Sequence, residues 1–253
     1  MTLSIHQWHL RYQQQARWTK SLRSYLYDRL GIYNAKRVLD VGCGTGVLLQ
    51  ELSHLSSCSA YGVDINHASI VLAHALAPRS MLNLGNALNL PYFSHSFDVS
   101  LCHFLLLWVD DPLQVVKEMS RVVYPGGHVL AIAEPDYGGR IDYPIELAQI
   151  GRLQSEALRE QGANPFIGRE LGSLFYSAGL MNIEVGVLGG QWGDEQTNED
   201  IELEWDVIKS DFYQNPEFMR SATELKALDQ SSRKNHKRIL YTPTFYAIGL
   251  KGD

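Results

Sequence analysis

Two acidic residues and a run of closely spaced glycines carry the chemistry that can be read from this chain. Asp40 closes an apolar run, Arg37–Val41, and Gly42, Gly44 and Gly46 follow it at every second position. Asp64 lies 22 residues beyond Gly42, at the end of a second apolar run, Cys58–Asp64. A glycine lacks a Cβ, so it accepts positive φ and lets backbone N–H groups approach a bound molecule. An ionised carboxylate accepts several charge-assisted hydrogen bonds, which suits the paired hydroxyls of a ribose. Glycine turn and downstream carboxylate together point to an adenosine-bearing ligand. The spacing narrows it further. A dinucleotide site asks for a glycine three residues after the second one; here that place is Val47, and the glycine falls one residue early, at Gly46.

Those residues need a strand, a tight turn and a helix to hold them. The β-branched Val38 and Val41 suit a buried parallel strand, and Val47, Leu48, Leu49 and Leu52 return at helical spacing. Further apolar runs at Met81–Gly85, Ser96–Cys102 and His128–Ala133 alternate with helical stretches. One of these is opened by Asn66 and another by the Asp111-Pro112 pair. Such alternation predicts a doubly wound α/β sheet with ligands at its carboxyl edge. Trp8, Tyr12, Gln15, Thr19, Leu22, Leu26 and Leu30 recur at three- and four-residue steps, predicting one amphipathic helix that Gly31 stops. Helices are expected over Ile145–Gln161 and Gly168–Ala178, and strands over Asn182–Leu188 and Thr244–Leu250.

The segment D-V-G-C-G-T-G at Asp40–Gly46 resembles the class I S-adenosylmethionine (SAM) methyltransferases, and more narrowly the ubiquinone/menaquinone-type small-molecule group. Gly85-Asn86-Ala87-Leu88-Asn89-Leu90-Pro91 with Ser96-Phe97-Asp98 is similar to a second family segment, in which an acidic residue stands where this chain has Asn86. The Pro125-Gly126-Gly127 turn is a third point of likeness. The resemblance covers roughly residues 36–134. It implies a Rossmann-like seven-stranded sheet in the order 3-2-1-4-5-7-6, with SAM as cofactor and S-adenosylhomocysteine as product. It further implies an N-terminal lid helix within residues 1–31 and a SAM-binding core at 36–134. The long span between the last two strands, 194–238, is expected to be a helical cap inserted over the acceptor pocket, all within one methyltransferase domain.

The resemblance also places cofactor contacts at Tyr12, Asp40, Gly42, Cys43, Gly44, Gly46, Asp64, Ile65, Asn86, Ala87, Leu88 and His103. Asp64 would take the ribose hydroxyls, Ile65 would pack on adenine, and Asp40 would order the turn and help receive the methionyl amino group. Trp18, Phe104, Trp108, Tyr137 and Arg140 are candidates to line the acceptor pocket, and Gln13 and Arg17 share the lid helix. Methyl transfer from a sulfonium needs alignment more than acid–base chemistry; where the acceptor must lose a proton, His103 and Glu134 are the candidate bases. The E-P-D-Y run at Glu134–Tyr137 is like the D/N-P-P-Y motif of DNA amino-methyltransferases, but it follows the fifth strand instead of the fourth, so that analogy fails. An NAD(P)-dependent oxidoreductase and a non-catalytic SAM-binding protein remain the alternative readings.

Composition sets the outer bounds. The 253 residues are 45% hydrophobic and carry a net charge of −6, enough for one α/β domain with a sizeable core. A nucleic-acid partner would call for a basic face. The only basic run, Arg233–Arg238, reads as a solvated loop or helix end. Three cysteines without a C-x-x-C pair predict neither a disulfide framework nor a zinc site. The polar first ten residues lack a signal-peptide apolar stretch, and no run reaches membrane-spanning length. A cytoplasmic enzyme acting on a small-molecule methyl acceptor, without nucleic acid, metal or membrane span, is the expectation.

Overall fold

The computed structural model describes residues 3–55, 58–187, 197–212 and 215–253. Its chain begins with α1 (Ile5–Trp18) and α2 (Lys20–Leu30), then enters the repeating core. That core is β1 (Arg37–Val41), α3 (Val47–Leu55), β2 (Ser59–Asp64), α4 (His67–Leu76), β3 (Met81–Leu84), β4 (Phe97–Cys102), α5 (Pro112–Val122) and β5 (Val123–Pro135). A short strand β6 (Ile141–Tyr143) leads to α6 (Ala148–Glu160), α7 (Leu171–Ser177) and β7 (Met181–Val187). The chain closes with α8 (Asn198–Asp211), α9 (Pro216–Lys234), β8 (Ile239–Tyr241) and β9 (Thr244–Leu250).

Seven strands form one sheet in the order β3-β2-β1-β4-β5-β9-β7. Counting only the strands of that sheet, this is the expected 3-2-1-4-5-7-6. The first five run parallel, and β9 inserts antiparallel between β5 and β7. Helices on both faces bury β1, β4 and the latter part of β5 almost completely, which explains why those segments read as continuous apolar runs. One core cluster joins β1, β4 and β5 to α5 and α7; a second joins the sheet to α2 and α3.

The anticipated caps are present: Asn66 accepts from the Ser69 N–H, and Asp111 accepts from Gln114 with Pro112 in the first turn. Two expectations need correcting. The N-terminal helix is two helices broken at Thr19, whose hydroxyl bonds back to the Gln15 carbonyl at 3.1 Å and takes Arg23 Nη1 at 2.6 Å. The apolar spacing runs through because Ala16 of α1 and Leu22, Leu26 and Tyr27 of α2 enter the same core cluster. Pro125-Gly126-Gly127 is a bulge inside the long β5 instead of a turn before it. It makes the β4–β5 register jump between Phe97 and Val99, and it is held by Gly126 N–H on the Lys251 carbonyl at 2.8 Å. In addition, β6 and β8 pair antiparallel as a separate ribbon that three-residue strands gave no period to reveal.

Of the expected strand Asn182–Leu188, Leu188 lies outside the described residues, as do 194–196 at the start of the expected cap. Beyond them, α8 and α9 build a third core with α6, centred on Trp205, Ile208, Phe212 and Phe218. Arg233–Arg238 is the expected helix end and exposed turn through Lys234–Lys237, but its two arginines face inward. Arg233 and Arg238 are largely buried and chain through carboxylates: Arg140–Asp142–Arg238–Asp229–Arg233–Glu204, with contacts from 2.7 to 3.2 Å. No described helix is long and apolar enough to cross a membrane, and no cluster of His, Cys, Asp and Glu among the described residues could hold a metal.

Candidate active site at the carboxyl edge of the sheet

Gly42, Gly44 and Gly46 have φ of +72°, +51° and +80°, so each uses the freedom only glycine has without strain. Their packing shows why a side chain is excluded. A Cβ on Gly42 would lie 2.7 Å from Leu105 Cδ1, and one on Gly44 would lie 3.0 Å from the Tyr12 ring. The amides are not aimed outward as the glycine spacing suggests. Gly42 and Cys43 donate to the Val63 carbonyl at 2.8 and 3.0 Å, Gly44 donates to Asp64 Oδ2 at 2.8 Å, and Gly46 donates to the Cys43 carbonyl at 2.9 Å. The turn therefore makes room for a ligand while offering few free donors. That suits a ligand without phosphates better than a pyrophosphate.

Two carboxylates flank this turn. Asp64 accepts one N–H on each oxygen, from Gly44 and from Asn66, both at 2.8 Å, so lone pairs remain on both. Asp40 is 2% exposed, and no donor among the described residues reaches its carboxylate. Burial, then the nearby Asp64 charge, pushes its pKa well above the usual carboxylate range. Such a group needs a cationic or hydrogen-bonding partner. Beside Asp64, Ile65 is 71% exposed. Asn86 uses its carbonyl locally: its Oδ1 accepts the Leu88 N–H at 2.9 Å, closing an Asx turn that leaves the NH₂ without a protein partner among the described residues. Ala87 and Leu88 pack on the core beneath it.

Helix α1 covers the turn. Tyr12 lies over Gly44, and His9 Nδ1 meets the Thr45 hydroxyl at 2.8 Å. Burial and the neighbouring Asp64 push the Tyr12 phenol up to about 12. On its far side α1 is tied to α8: Gln14 Nε2 donates to the Asp200 carbonyl at 2.9 Å, and Arg17 pairs with the Asp200 carboxylate. Neither His9, Thr45 nor Gln14 had a signal in the sequence, since each contact joins segments far apart along the chain.

The end of β4 supplies the next wall. Phe104 adopts φ +54°, uncommon for a bulky side chain, and its N–H donates to the Ala133 carbonyl at 2.9 Å. Glu134, completely buried, accepts from the N–H groups of Leu105, Leu106 and Leu107 at 2.9, 3.0 and 3.2 Å. Burial outweighs those three donors and lifts its pKa to about 7. The candidate base is thus the anchor of the loop that presses Leu105 onto Gly42, with no face left for an acceptor.

His103 is held by Thr19, its Nε2 2.9 Å from the hydroxyl, while Arg23 bridges Thr19 and Glu51, the last at 2.5 Å. Burial, with the Arg23 charge, lowers its pKa to about 3. The Thr19 hydrogen is directed at Gln15 and Arg23 donates into the same oxygen, so the neutral Nε2–H tautomer satisfies all three groups. Ring ¹⁵N shifts are expected to show that one neutral tautomer from about pH 5 to 8. A protonation step inside that range would contradict this arrangement.

The acceptor-side candidates divide. Tyr137 is close enough to feel the charges of Arg140, Arg11, Asp211 and Glu204. Trp18, 40% exposed, lies under the Arg11 guanidinium, and Trp108 is 47% exposed in the turn after β4. Arg140 is not available to a ligand. It is buried against Asp142 at 2.7 Å and Gln154 at 2.6 Å.

Comparison with known proteins agrees with this geometry. The family described as "Methyltransferase domain" matches residues 39–131. Methyltransferase GfsG of Streptomyces halstedii is 33% identical over 123 residues, which are 46% of this chain and 44% of that protein. The demethylmenaquinone methyltransferase of Bacillus mycoides is 30% identical over 194 residues, 69% of this chain and 80% of the relative. Among solved structures, phosphoethanolamine N-methyltransferase 2 of Haemonchus contortus in complex with S-adenosyl-L-methionine superimposes with a TM-score of 0.59 at 15% identity. That match covers 92% of this chain and 53% of the other. The chain therefore spans about half the length of two of these three proteins, and most of the third. With its sheet order, its glycine turn and these relatives, the chain belongs to the class I S-adenosylmethionine-dependent methyltransferases.

Proposed function

We propose that the enzyme methylates a small-molecule acceptor held between α1, the ends of β4 and β5, and the α8–α9 helices, with SAM seated on the glycine turn. The observation that carries this reading is the pair of carboxylates around a turn whose own amides are already satisfied. Asp40, buried and without a donor, suits an ammonium group; Asp64, with lone pairs free on both oxygens, suits two vicinal hydroxyls. In this reading Ile65 and Leu88 flank the adenine, the NH₂ of Asn86 faces a ring nitrogen, and Tyr12 closes over the turn. When bound, the cofactor supplies a methyl group already activated by its sulfonium charge.

The protein's part is then to orient and to exclude water. Helix α1 roofs the turn through Tyr12 and His9. Glu134 fixes the Leu105–Leu107 amides, and with them the loop carrying Phe104. Neither Glu134 nor His103 serves as general base in this scheme: the first is fully engaged, and the second is too weakly basic. The net charge of −6 argues for a small acceptor over a nucleic acid.

Calorimetric titration is expected to show SAM and S-adenosylhomocysteine binding and no heat with NAD. Incubation with isotopically labelled SAM and a small-molecule extract should then place the label on one low-mass product. Binding of NAD in preference to SAM would overturn the reading. Binding of SAM without any labelled product from such extracts would favour a binding protein over an enzyme.

A further inference from the structure

Arg11 stands on α1 one residue before Tyr12, and its guanidinium is unlike those of the other arginines in the interior. Arg23, Arg140 and Arg238 each meet a carboxylate at 2.7 Å or less. Arg11 meets none among the described residues. Its Nη1 donates to Gln14 Oε1 at 2.6 Å, and its Cζ lies 4.7 Å from the Trp18 ring centroid. Nε and Nη2 have no hydrogen-bond partner among the described residues, and neither is fully sealed from solvent.

The groups near enough to act on that guanidinium are Glu204 and Asp211 on α8 and Tyr137 after β5. Both acids act on its charge without a hydrogen bond to it among the described residues. Glu204 is spent on Arg233 at 3.2 Å. Asp211 is held by the side-chain amides of Gln154 and Gln161. A half-desolvated cation with donors to spare is costly unless an anion completes it. The guanidinium fork matches a carboxylate bidentately, which an ammonium would not.

We propose that Arg11 recognises a carboxylate carried by the methyl acceptor, with the rings of Trp18 and Tyr137 beside the bound molecule. This rests on the methyltransferase reading above and names the acceptor class for the same site.

The test uses the whole protein saturated with S-adenosylhomocysteine and two probes of equal shape, benzoate and benzamide, followed by ligand-observed NMR. Benzoate is expected to bind at least about tenfold more tightly than benzamide. Arg11→Gln should erase that difference and Arg11→Lys should keep part of it. S-adenosylhomocysteine affinity, measured on the same samples, should stay within about twofold in every variant, which shows that the fold is intact. Benzamide binding as well as benzoate, or a carboxylate preference that survives Arg11→Gln, overturns the proposal. Failure of the wild-type protein to bind S-adenosylhomocysteine overturns the cofactor reading instead, so the two failures are separable.

Discussion

Arg238→Ala is expected to lower unfolding stability by about 3 kcal/mol, the larger part of it in the α8–α9 helices. Arg238 lies with its side chain 5% exposed between two carboxylates, Asp142 Oδ1 and Asp229 Oδ1, each at 2.7 Å. It also donates to the carbonyls of Tyr143 and Ile239. It therefore joins the β6–β8 ribbon to α9. Removing one member of a buried ion network leaves charge unpaired in a medium that solvates it poorly, at a cost of about 3–5 kcal/mol. The lower figure is expected because Asp142 keeps Arg140, while Asp229 keeps Arg233 and the Trp205 indole at 3.1 Å. Urea denaturation gives the total. Hydrogen exchange locates it: amides of α8 and α9 should lose protection before those of β1 and β4. Uniform loss across the sheet, or a change below about 1 kcal/mol, would show that the network does not hold this unit in place.

Asp64→Ala is the change expected to weaken cofactor binding most, by about 1.5–3 kcal/mol, roughly 10- to 150-fold, through loss of charge-assisted hydrogen bonds. The structure adds a second reason. Asp64 Oδ2 holds the Gly44 N–H and Oδ1 holds that of Asn66, so the same carboxylate shapes the turn that seats the ligand. Asp64→Asn separates the effects, since its carbonyl can still take the Gly44 N–H while its amide no longer offers a charged acceptor. Calorimetry with S-adenosylhomocysteine should rank wild type above Asp64→Asn above Asp64→Ala. An affinity unchanged in both variants would remove Asp64 from the site.

Much of the architecture is readable along the chain because it depends on neighbours in sequence. Strand β1 is apolar because it is covered on both faces. The glycines recur because three nearby backbone positions need positive φ, and Asn66 and Asp111 cap helices through amides three residues on. The βα alternation then leaves few sheet topologies open, and the family likeness implies the order of the seven strands.

What the sequence by itself determined is the scaffold and the position of its carboxyl edge, with Asp40, Asp64 and the glycine turn standing on it. Only the tertiary structure decided what those groups touch. It turned the glycine amides inward, gave the Asn86 carbonyl to an Asx turn, made Glu134 a loop anchor, buried Arg238 between two acids and left Arg11 with donors to spare. The reason is distance along the chain. The glycine amides, Glu134 and Arg238 depend on contacts between segments that local periodicity cannot relate. A charged residue reads the same in sequence whether its partner is water, a buried carboxylate or a substrate.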